Sequence, residues 1–483
     1  MATYYWVGGT GTWNNVNTAN WSLTSGGIGG FGPPTNVGLD TAIFDANSGT
    51  GTCTTAATAE VRTLTFGSAN MTLALGANLT LSGGSAVCSA GTINLNSFTL
   101  TVLALNIDGS GTRSIQFGTG KIVVTGNNTT VLNAISMTNF SYTGTPRVEF
   151  TYSGSTGTRQ FFSGSTSGSS ATNVLSLYIT GGTDIISFRG HTKDLSLSGF
   201  AGTFNATVQG TNIYGDLIAG AGSTFNATLL SFLSTSTGKI ITSNGATLAT
   251  SLRFNGVGGG WTLQDNLTIP TANTLTLVNG TLNANDKNVT IGNFALDVGT
   301  KTLTLGNGTW TVTGANWNAN TNVTNLTVSA STGTISMTSA SAKAFAGGAK
   351  TWPTLNQGGS GALTIQQSNT FANITNTVQP ATITLTAGTT QTVSAFSLAG
   401  TAGNLITLNT SSAGTQATLS DSSGIVSVSF VSVKDINATG GAVWNAYSSS
   451  GNIDAGNNTG WDFNDLLFRY IYTRRKNKVI FPI

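Results

Sequence analysis

Charge is what this chain has least of. Asp, Glu, Lys and Arg make up 7% of its 483 residues, where a globular domain usually carries about a quarter. The 19 basic and 16 acidic residues leave a net charge of +3, too weak a field to steer nucleic acid. Two cysteines, Cys53 and Cys88, cannot build a disulfide framework; one bridge and two reduced thiols are the alternatives. A single histidine leaves no Cys/His cluster for zinc. No stretch stays apolar long enough for a membrane-spanning helix. The opening MATYYWVGGTGTW lacks the basic-then-apolar pattern of a secretory leader, so none is expected. No glycine loop is followed by G-K-[ST], and no G-x-G opens a helix with a later acidic residue, so nucleotide binding is not expected. Disorder does not follow from the missing charge. Hydrophobic residues are 39% and they alternate, whereas disordered segments join low hydrophobicity to high charge.

What is present is one grammar repeated. In Pro380–Trp461 the apolar residues come in short alternations: Ile383 and Leu385; Val393, Phe396 and Leu398; Ile406 and Leu408; Val426, Val428 and Phe430. Gly, Ser, Asn or Asp separates each from the next. Period-2 alternation over four to eight residues predicts strands with one buried face. The gaps are too short for helical crossovers, and few carry a hairpin signature. A chain that coils and stacks each turn on the last satisfies all of this. The fold class expected is all-β, a right-handed parallel β-helix (β-solenoid) with an N-terminal cap and a short C-terminal tail.

The organisation follows. Residues 1–50 are rich in Trp, Gly and Asn and form a cap or attachment region. Trp6, Trp13 and Trp21 either roof the raw end of the solenoid or offer a docking or sugar-stacking surface. Residues 51–376 form the array, with Leu and Ile inward and Thr, whose branched Cβ suits a pleat, outward. An internal echo runs through it: TRSIQFGTGKIVVTG at 112–126 answers TKTLTLGNGTWTVTG at 300–314, and 173–188 answers 351–366. Two related segments, about 110–200 and 300–376, are expected. Residues 377–461 form a C-terminal β-helix module. In the tail, 462–483, Arg474, Arg475, Lys476 and Lys478 cluster among large apolar residues; it caps the module or docks to a partner subunit.

Few residues invite chemistry. His191 has Thr192 and Ser196 as its nearest hydroxyls, both at odd offsets and so on the opposite face of a strand. Asp184, Asp194 and Asp216 could be brought together by stacking, as paired carboxylates must be for glycoside cleavage. Asp435, Asp454, Asn457 and Asn458 offer calcium-type oxygens but read first as turn caps. The sequon at Asn128 matters only on a eukaryotic secretory route. Trp310, Trp317, Trp352 and Trp444 sit beside Gly, Asn or Thr, in sugar-gripping or core-filling positions alike. No catalytic, cofactor or metal residue is assigned.

Both ends of the chain carry a resemblance. AGTTQTVSAFSLAGTAGNLITLNTSSAGTQATL, SVSFVSVKDINATGGAVWNA and GNNTGWDF resemble a repetitive module of tailed-bacteriophage structural proteins and bacterial surface β-helix proteins. The opening W-x-G-G-x-G-x-W (Trp6 to Trp13), the N-W-S at Asn20–Ser22 and the Pro34 to Phe44 pattern are similar to segments of autotransporter-like passenger domains. The resemblance implies a right-handed parallel β-helix and a non-enzymatic role on a virion surface, on tail or capsid, as fibre, spike or head-associated protein. It implies other virion proteins as partners, a homo-oligomer whose usual form is a trimer, and a host-surface glycan as ligand. It brings no cofactor. A bacterial surface adhesin and a polysaccharide-depolymerising tailspike are the alternatives, and the basic aromatic tail lies outside the module.

Overall fold

The computed structural model describes residues 2–464 apart from 37, 128, 168, 320–322 and 330, and at 165–167 the backbone alone. The chain divides into two compact units, Met1–Ser251 and Leu252–Ile483. Each is a β-solenoid of stacked parallel strands. The helical content of the described residues is one 3-10 turn, Ser448–Ser450.

In the first unit a single inward column shows how the core is built. Leu79, Leu100, Ile122, Val148, Leu177, Leu195, Leu217 and Ile241 lie in register on successive strands, and all are buried. Alternation sends one residue in and the next out. Stacking the strands in parallel then turns eight separate apolar residues into one continuous core, with each backbone paired to the turns above and below. The second unit repeats the device. Leu267, Val289, Trp310, Ile335, Leu355, Ile374 and Phe396 form the inward column of a seven-stranded sheet. The outward neighbours in the same register are Thr268, Thr290, Thr311, Ser336, Asn356, Thr375 and Ser397. Thr, Ser and Asn cover this face, as the composition requires.

Corners are made by Asn and Gly. In the first unit Asn96 and Ser97 have φ of 45° and 70°, and in the second Asn285 and Asp286 have 51° and 59°. In both turns the Asn two residues earlier, Asn94 or Asn283, caps the turn by accepting from the Asn96 or Asn285 N–H. In both, the turning Asn donates its amide to the previous rung, to Leu75 O at 2.9 Å or Leu263 O at 3.1 Å. Asn78 and Asn266 likewise accept from the backbone of the next rung, at Thr99 and Asn288. The same way of turning a corner and stapling one rung to the next thus recurs in both units. At Gly280, φ is 83°, and a Cβ would stand 2.6 Å from the Gly259 carbonyl oxygen, so only glycine fits.

The N-terminal end is closed by aromatic packing. Trp6 and Trp21 meet edge to face at 5.2 Å, Trp13 meets Trp21 at 5.3 Å, and Phe44 stacks under Trp6 at 5.7 Å. The strand Thr3–Trp6 pairs antiparallel with Trp21–Ser22 and parallel with Thr41–Phe44. Cys53 and Cys88 are free thiols, both buried, so the alternative of a bridge between them is set aside.

Candidate functional site

Cations enter the interior at one recurrent position. Arg113, Arg159 and Lys301 each follow Gly-Thr at the first or second residue of a strand, and all three are buried. Arg113 donates to the carbonyls of Ile107, Gly111, Ser136 and Thr138. Lys301 donates to Asp297 O and Gly299 O, each at 2.7 Å. Lys343, buried at the start of Lys343–Ala346, donates to Ser339 O, Gly359 O and Gly361 O. Corner carbonyls gain charged donors this way. Arg159 differs: it forms a two-pronged pair with Asp184, at 2.8 and 2.9 Å. Asp184 is therefore a buried counter-ion, removed from any surface chemistry.

A cluster of charged and tyrosine side chains lies along neighbouring rungs of the first unit. Lys121 and Arg147 stand side by side on neighbouring strands and both reach Glu149, at 2.7 Å from Lys121 Nζ and 2.7 Å from Arg147 Nε. Burial pushes the Glu149 carboxyl up, but these two cations outweigh it and hold it below the usual carboxylate range. The Arg147 guanidinium lies 4.4 Å over the Tyr178 ring, and the Lys193 ammonium 5.4 Å from the Tyr142 ring. Ser176, opposite Arg147 in register, donates to Asp194 Oδ2 at 2.6 Å. The Asp216 N–H donates to Asp194 Oδ1 at 2.9 Å, and the Ile240 N–H to Asp216 Oδ1 at 2.9 Å. Burial and the Asp194 charge push the Asp216 carboxyl up.

Asp194 and Asp216 thus stand immediately before two paired strands, Leu195–Ser196 and Leu217–Ile218, and paired strands lie about 4.8 Å apart. A carboxyl raised beside another carboxylate is a general-acid arrangement. Both oxygens of Asp194, however, already accept hydrogen bonds that join three rungs. His191 does not assemble a nucleophile: its Nδ1 accepts from the Asn212 N–H at 3.1 Å, burial pushes its pKa down, and Thr192 turns inward to the Leu175 carbonyl at 2.8 Å.

The other residues singled out from sequence fall as follows. Trp6, Trp13 and Trp21 are 0% exposed, which corrects their reading as a docking or sugar-stacking surface: three indoles close the solenoid end because they cover more apolar cross-section than any other side chain. The cap instead exposes Val16, Leu23, Ile28, Phe31 and Leu39. Trp310, Trp317, Trp352 and Trp444 are buried too. Asn457 donates to Asp435 and Asn458 to Asp454, so these oxygens cap turns. Among the described residues no group of three or more His, Cys, Asp or Glu side chains could hold a metal ion. Arg474, Arg475, Lys476, Lys478 and Asn128 lie outside the described residues. The buried cations were missed by sequence reasoning, although Gly-Thr-[Arg/Lys] ahead of an apolar alternation marks three of them.

No family model, curated protein or solved structure matches this chain.

Proposed function

We propose that the chain is a non-enzymatic structural protein displayed on a bacteriophage particle, as a fibre, spike or head decoration. Other virion proteins, further copies of itself and a host-surface glycan are its partners. The observation that carries this reading is where its reactive side chains go. Arg159 with Asp184, Asp194 with Asp216, and the corner asparagines all tie one rung to another. Faces of Thr, Ser and Asn let neighbouring copies approach without charge repulsion, and the apolar residues exposed on the N-terminal cap suit attachment. Cryo-electron microscopy of the parent particle or cell tests this. Density for the chain on a tail or capsid is expected. Chains rooted in a bacterial surface would overturn it in favour of an adhesin.

The contact between Asp194 and Asp216 favours one second reading, a polysaccharide depolymerase with Asp216 as the acid. Incubation with the host's capsular polysaccharide should release no reducing ends if the chain is structural. Release that Asp216→Asn abolishes would establish the enzyme.

A further inference from the structure

Four asparagines in the chain precede a glycine: Asn244, Asn255, Asn279 and Asn307. Glycine has no Cβ to shield its amide or restrict its backbone, so at such a step the glycine nitrogen can reach the asparagine side-chain carbonyl and close a cyclic imide. Closure needs a glycine N–H that is not held in a hydrogen bond, a polarised side-chain carbonyl and a backbone that can turn. The four steps differ in these respects. We propose that Asn307-Gly308 is a self-modifying site, at which asparagine is converted to isoaspartate and aspartate with water as the co-reactant, while the fold protects the other three.

Asn255 and Asn279 lie inside the strands Leu248–Leu263 and Thr274–Asn283, whose backbone is held extended. They are in register, and the Asn279 side-chain amide donates to Asn255 Oδ1 at 2.9 Å. The Gly280 N–H is committed to Thr300 O at 3.0 Å. Asn244 stands in an exposed turn, but its Nδ2, which would have to leave, donates to Ala219 O at 2.8 Å, and the Gly245 N–H donates to Ser243 Oγ at 3.2 Å.

Asn307 is exposed at a bend ahead of the strand Thr309–Val312. Among the described residues neither its Nδ2 nor the Gly308 N–H makes a hydrogen bond. Its own N–H donates to Asp286 Oδ1 at 2.8 Å, which anchors the corner without occupying a reacting atom. The Thr332 hydroxyl donates to Asn307 Oδ1 at 2.6 Å. That bond draws electrons from the side-chain carbonyl and stabilises the negative charge that develops on Oδ1. Gly308 N gives up its proton to base and attacks Asn307 Cγ. The N–Cγ bond forms, the Cγ–Nδ2 bond breaks and Nδ2 leaves, reprotonated, as ammonia. Water then opens the imide. Attack at the Asn307 main-chain carbonyl gives isoaspartate, attack at Cγ gives aspartate, and either returns a proton to Gly308 N. Nothing is oxidised or reduced. The product sets a carboxylate near Asp286, and isoaspartate lengthens the main chain beside the staple from Thr309 N–H to Asn288 Oδ1.

Incubation of the full chain at mildly alkaline pH, followed by peptide mapping with mass spectrometry that separates isoaspartate from aspartate, tests this. The peptide holding Asn307 should gain the mass difference between a hydroxyl and an amino group, while those holding Asn244, Asn255 and Asn279 stay unchanged. In urea all four should react at similar rates. Thr332→Val should slow the reaction of the folded chain roughly 2- to 10-fold, the worth of one hydrogen bond. Thr332→Ser should restore it, and neither variant should differ from the native chain in urea. An Asn307 that stays intact in the folded chain overturns the inference, as do equal rates at all four asparagines before unfolding and a Thr332→Val protein that reacts as fast as the native one.

Discussion

Lys343 brings three N–H donors to three carbonyls. Its Nζ lies 2.9 Å from Ser339 O, 3.3 Å from Gly359 O and 2.5 Å from Gly361 O, which suits the ammonium form. Burial opposes that charge and pushes the pKa from 10.5 down to about 8. At neutral pH the group is protonated in both states. Between about 8 and 10.5 the unfolded chain keeps a proton that the folded chain has released. Stability therefore rises with pH across that window and levels off above it. Urea denaturation should show this rise in the native protein and a smaller one in Lys343→Met; identical pH profiles for the two proteins would contradict the assignment. The position was not legible. Lys343 follows Ser341-Ala342 and not the Gly-Thr that precedes Arg113, Arg159 and Lys301, and two of the carbonyls that receive its charge, at Gly359 and Gly361, lie 16 and 18 residues away. Asp184 shows the same limit. Its carboxylate was visible in the sequence, and its partner Arg159, 25 residues away, was not.

Asparagine does at the scale of the element what these cations do at the scale of the residue. Asn285 adopts a φ of 51°, which costs most L-residues about 1–2 kcal/mol, and its side chain holds the previous rung at Leu263 O. Asn285→Ala loses both features and should cost about 2 kcal/mol; Asn285→Gly keeps the backbone freedom and should cost about 1 kcal/mol. Chemical denaturation of the two variants checks the order, and equal losses would mean that the staple alone matters. Turns were readable from Asn and Gly because φ preference is local. The staple was not, because its acceptor lies a full rung, 22 residues, away.

At the scale of the whole molecule the two thiols report on the core. Burial pushes both up, Cys88 to about 12, and thiolate is the reactive form. Neither should react with a thiol reagent in the native protein, and both should in denaturant; rapid labelling under native conditions would show that the interior opens locally. By itself the sequence determined the all-β solenoid, the charge-poor Thr, Ser and Asn surface and the turn chemistry, since each depends on period-2 alternation or on the φ preference of single residues. Only the tertiary structure decided what stands beside what. It turned Trp6, Trp13 and Trp21 inward, paired Asp184 with Arg159 and set Asp194 against Asp216. The physical reason is rung length. Consecutive turns take 29 residues from Val148 to Leu177 and 18 from Leu177 to Leu195. Alternation tells each residue which way to face, and a variable rung conceals which neighbour it will meet.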